Sequence, residues 1–85
     1  MIYCKTINKA ILHLTGEQLG YCKSCSSLVA LYKRTGMRDC EERCKGKLKG
    51  FLTALILVGH INSFDGELLY EWFSSADRSK EDHQC

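Results

Sequence analysis

Four cysteines, Cys22, Cys25, Cys40 and Cys44, fall within twenty-three positions of a chain that contains no proline. The first two are separated by two residues and the last two by three, with fourteen residues between the pairs. Close pairs of thiols chelate a metal, form nested disulfides, or line the inner stripes of two packed helices. The chain has only 85 residues. A domain of that size buries about 60–65% of the surface its unfolded form exposes. Its core is therefore thin, and small scaffolds commonly add a disulfide or metal staple.

The apolar positions predict a mainly helical fold. Ile2, Tyr3, Ile7, Ala10, Ile11 and Leu14 recur at near-helical spacing, although residues 10–14 could also be read as a strand. Thr15-Gly16 ends this element. Leu19, Cys22, Cys25, Val29 and Tyr32 then place the cysteines on the inner stripe of a second helix. Ser24, Ser26 and Ser27 favour a competing version, a metal-binding knuckle at 22–27 followed by a strand over 28–33. Thr35-Gly36 reads as a turn.

Met37 to about Val58 reads as a long helix carrying Met37, Cys40, Cys44, Phe51, Leu55 and Val58 on one seam. Gly59 is its stop. Asn62 or Ser63 can cap the last element, with Asp65-Gly66 as a turn into a helix over 67–76. The expected domain is one compact unit over 1–76, with the cysteine module at 22–44 and a flexible polar tail at 77–85. A treble-clef-like α+β finger is the alternative architecture.

Structural zinc is the first expectation for the module. Four thiolates supply a closed tetrahedral site, and Cys40 and Cys44 at i and i+4 project to one side of a helix. The layout resembles the first zinc module of nuclear receptors, where the second cysteine pair opens a basic helix. Here Lys45, Lys47 and Lys49 stand in that region, and the second pair has one residue more between its cysteines. Disulfides are the second expectation. Cys22–Cys44 and Cys25–Cys40 would be nested rungs of a helical hairpin turning near Lys33. That arrangement resembles the helical-hairpin defence peptides of plants, which carry two C-x3-C pairs. Reduced cysteines that simply pack are the third. Cys4 and Cys85 lie outside the module, and His60 is a reserve ligand.

The N-terminal Met-Ile-Tyr-Cys-Lys-Thr-Ile-Asn-Lys lacks the apolar run of a signal peptide. An intracellular, cytoplasmic setting is therefore expected, unless a leader has been removed, in which case the chain reads as a secreted, disulfide-stapled effector. No apolar stretch approaches the roughly 20 residues a membrane span takes.

Charge is unevenly placed. Residues 33–49 carry seven basic against three acidic side chains, and residues 50–85 carry two against six. Arg38, Arg43, Lys45, Lys47 and Lys49 could meet nucleic-acid phosphates, as the minority reading. The C-x-x-C at Cys22 invites a redox reading, but no βαβ pattern surrounds it. No phosphate loop, H-E-x-x-H or triad context is present, so an enzyme with a small-molecule substrate is not expected. The favoured expectation is a small regulatory or adaptor protein, zinc-stabilised, that binds another protein or itself. The contact residues expected for it are Phe51, Leu55, Trp72 and Phe73.

Overall fold

A computed structural model describes residues 2–75, with side chains from residue 7 onward. Four helices follow one another: α1 (Ile2–Leu12), α2 (Gly16–Thr35), α3 (Arg38–Leu57) and α4 (Ser63–Ser74). Among the described residues there is no strand. Both strand alternatives and the α+β finger are thereby set aside. The tail at 77–85, with Cys85, lies outside the described residues.

Helix α2 starts where Thr15 and Gln18 close a capping box. The Thr15 hydroxyl accepts from the Gln18 backbone at 3.1 Å and the Gln18 side chain accepts from the Thr15 backbone at 2.9 Å. The knuckle at 22–27 does not form because Cys22, Cys25, Ser26 and Val29 make a continuous buried stripe of steps one, three and four. Burial of that stripe outweighs the weak helix propensity of the serines. The helix stops at Gly36, whose φ of 74° suits a residue without a Cβ, and Met37 N–H closes the turn on Tyr32 C=O at 2.9 Å.

Helix α3 runs through Gly46 and Gly50 without a break and ends at Gly59, which takes φ 79°. Helix α4 begins earlier than the Asp65-Gly66 dipeptide suggests. Asn62 caps it, accepting from Asp65 N–H at 2.7 Å. Gly66 lies inside the helix, not in a turn. A Cβ there would overlap the Ile56 side chain and stand 3.0 Å from its Cγ1, so glycine lets α4 approach α3 closely.

The core gathers Ile7 and Ala10 from α1, Cys22 and Cys25 from α2, and Leu48, Leu52 and Leu55 from α3. Ile61 joins from the last turn, with Leu68, Leu69, Trp72 and Phe73 from α4. Helix α2 packs against α3 and α4, whereas α1 packs chiefly on α4.

Candidate functional site

The cysteines come first, because the sequence is built around them. Cys22 is fully buried, Cys25 and Cys44 are nearly so, and Cys40 is half-buried; all four are free thiols. Among the described residues, no group of three or more His, Cys, Asp and Glu side chains could hold a metal ion. Cys22, Cys25, Cys40 and Cys44 are not brought together as such a group, and His60 is exposed on the α3–α4 turn.

The nested disulfides are not made either, and the reason is register. Tyr21 stacks on Phe51 with ring centroids 4.6 Å apart, which sets the level of α2 against α3. In an antiparallel hairpin with that contact, Cys22 is level with Gly50, which itself faces away, and Cys25 is level with Lys47. The Cys25 thiol feels Cys44 first and Lys47 after it. At that level Cys44 and Cys40 lie about 9 and 10.5 Å nearer the turn than the thiols they were expected to meet, at 1.5 Å per residue. A disulfide cannot span Cα atoms more than about 7 Å apart without backbone movement. The hairpin turns at Gly36, not at Lys33, and this shift separates both rungs.

The thiols behave as small apolar groups. Burial, and then the neighbouring Cys25, push the Cys22 thiol up to about 11. Burial also raises Cys25, partly offset by the Tyr21 hydroxyl donating to its sulfur. Thiols held protonated in this way are poor nucleophiles.

The basic residues do not form one surface. At about 100° per residue, Arg38, Lys45 and Lys49 share one side of α3, while Arg43 and Lys47 lie roughly 140–180° away. Lys45 is paired with Glu41 at 3.0 Å, and the Lys49 amine sits 5.8 Å from the Tyr70 ring centroid. The glutamates first, and Tyr70 to a lesser degree, raise the Lys45 pKa. No continuous phosphate-facing stripe results.

Of the expected contact residues, Leu55, Trp72 and Phe73 are core, and Phe51 is half-buried against Tyr21. The corresponding docking face is therefore the inside of the bundle. Other apolar residues are exposed: Leu57 at 81%, Val58 at 76%, Phe64 at 66% and Leu12 at 82%.

A cleft lies between α3 and α4. The cleft has a volume of about 310 Å³ and is lined by Lys49, Leu52, Thr53, Ile56, Gly66, Glu67, Tyr70 and Glu71. Lys49, Thr53 and Ile56 recur at i, i+4 and i+7 along the α3 side. Glu67 and Glu71 recur at i and i+4 along the α4 side. The Ile56–Gly66 and Lys49–Tyr70 approaches fix the two helices as an antiparallel pair, and at that register Leu57 stands level with Phe64. The result is a groove with an apolar floor of Leu52, Ile56 and Tyr70, and with Lys49, Glu67 and Glu71 as its charged lining. Periodicity alone could not find it. From Phe51 onward α3 is almost wholly apolar and offers no polar side by which to orient it.

No family model matches the chain, and neither a curated protein nor a solved structure matches it. No helix of the described residues is long and apolar enough to cross a membrane.

Proposed function

We propose that the protein is a small binding module that receives an amphipathic helix of a partner protein in the groove between α3 and α4. The supporting observation is a cleft floored by Leu52, Ile56 and Tyr70, with Leu57 and Phe64 exposed at the helix ends beside the α3–α4 turn. From Lys49 to Ile56 the groove runs about 10 Å, two helical turns. That length accommodates anchors at i, i+4 and i+7 of a docked helix, the recurring helix-in-groove mode. In this reading the cysteines act in packing, holding α2 against α3 so that α4 has a platform.

A display library of helical peptides, selected against the folded protein and counter-selected against a Leu57→Asp/Phe64→Asp variant, tests it. Selected peptides are expected to carry apolar residues at i, i+4 and i+7. They should also lose at least tenfold in affinity for the variant and shift the Ile56 and Tyr70 resonances. Peptides that bind wild type and variant equally well would sink the proposal.

A further inference from the structure

We infer, on the basis of the groove reading above, that the helix it receives is basic, with lysine or arginine flanking the apolar stripe on the side that faces α4. Glu67 and Glu71 stand one turn apart on the α4 rim, both exposed, and among the described residues neither has an ion-pair partner. Like charges at i and i+4 destabilise a helix by a few tenths of a kcal/mol, and a cation docked between them removes that repulsion. The cations of α3 do not fill this role. Lys45 is held by Glu41 at 3.0 Å, Lys49 lies over the Tyr70 ring, and Arg43 and Lys47 belong to the other side of α3. Among the described residues, the α4 rim thus presents two carboxylates without an ion pair beside an apolar floor, against the one lining cation, Lys49. Its complement is a basic amphipathic helix, and the same charge disfavours an anionic lipid surface.

Three synthetic fifteen-residue peptides separate the outcomes: a leucine stripe with lysine flanks, the same stripe with glutamate flanks, and a scrambled leucine/lysine sequence without a stripe. Binding is followed by fluorescence anisotropy at low and high salt, and located by methyl resonances of Ile56 and Leu57. The striped lysine peptide is expected to bind at least tenfold tighter than the other two and to weaken several-fold in high salt. Glu67→Lys/Glu71→Lys should reverse the preference, while circular dichroism reports an unchanged helix content. If the glutamate-flanked peptide binds as well as the lysine-flanked one at the same resonances, the charge assignment is overturned and the groove stands. If neither striped peptide perturbs the groove, both fall. Sedimentation showing a dimer that buries Leu57 and Phe64 would also overturn the inference, because the groove would then be filled by a second copy of the chain.

Discussion

Tyr21 on α2 and Phe51 on α3 stack with their ring centroids 4.6 Å apart and their planes tilted by 50°, and this contact sets the level of the two long helices. At that level Cys22 is offset from Cys44 and Cys25 from Cys40, while Cys44 is felt by Cys25. Treatment of the folded protein with oxidised glutathione, followed by peptide mapping, should therefore recover no Cys22–Cys44 or Cys25–Cys40 bridge. The same treatment in urea should permit both. Either bridge formed in the folded state would show that the register is wrong.

Stability should respond to alkali through Cys22. Its native thiol keeps the proton up to about pH 11, against an ordinary value of 9.0. Above pH 9 the unfolded chain releases a proton that the native state retains. The contribution is fully present below that pH and is lost by up to about 2–3 kcal/mol as the pH rises towards 11. Urea titrations under reducing conditions at pH 8 and above pH 10 measure the loss, and Cys22→Ala should flatten it.

Gly46 and Gly50 lie on the exposed side of α3, and a Cβ at either would meet nothing within 4 Å. Replacing each with alanine should stabilise the protein by about 0.5–1 kcal/mol, since only helix propensity changes. Thermal unfolding of the single and double variants checks this, and a destabilised variant would point to an unrecognised contact on that face.

Gly66 behaves in the opposite way. Alanine there must push Ile56 aside, and overpacking of this kind costs about 1–3 kcal/mol, partly offset by improved propensity. A net loss near 1 kcal/mol is expected, together with displaced Ile56 methyl resonances and a narrower groove. A Gly66→Ala protein as stable as Gly46→Ala would remove the close helix approach from the account.

Surface and core should separate cleanly. Leu57→Lys and Phe64→Lys ought to change stability by no more than about 0.5 kcal/mol, because both side chains are exposed. Trp72→Ala, at a site 7% exposed, should cost about 3–5 kcal/mol. Denaturant midpoints of the three variants decide whether Leu57 and Phe64 are free surface.

Much of the helical order was legible in local chemistry. The Cys22, Cys25, Val29 stripe, the stops at Gly36 and Gly59 and the cap at Asn62 all follow from spacing and turn preferences. Register was not legible, because the level of α2 against α3 depends on a contact between residues thirty positions apart, Tyr21 and Phe51. Gly66 misled for a related reason. An Asp-Gly pair signals a turn locally, but its glycine serves a close approach to Ile56 that only the assembled bundle reveals. The contact surface was sought among the largest side chains, and Trp72 and Phe73 were drawn into the core for the same apolarity that recommended them.

Helix α1 finds its principal packing partner in α4, the last of the four helices, and not in its sequence neighbour α2. During synthesis the α2–α3 hairpin can close as soon as both arms leave the ribosome, since its contacts are local. Helix α1, already made, must keep Ile7 and Ala10 in water until α4 emerges. The earliest of these helices to be translated is thus the one whose docking completes the bundle.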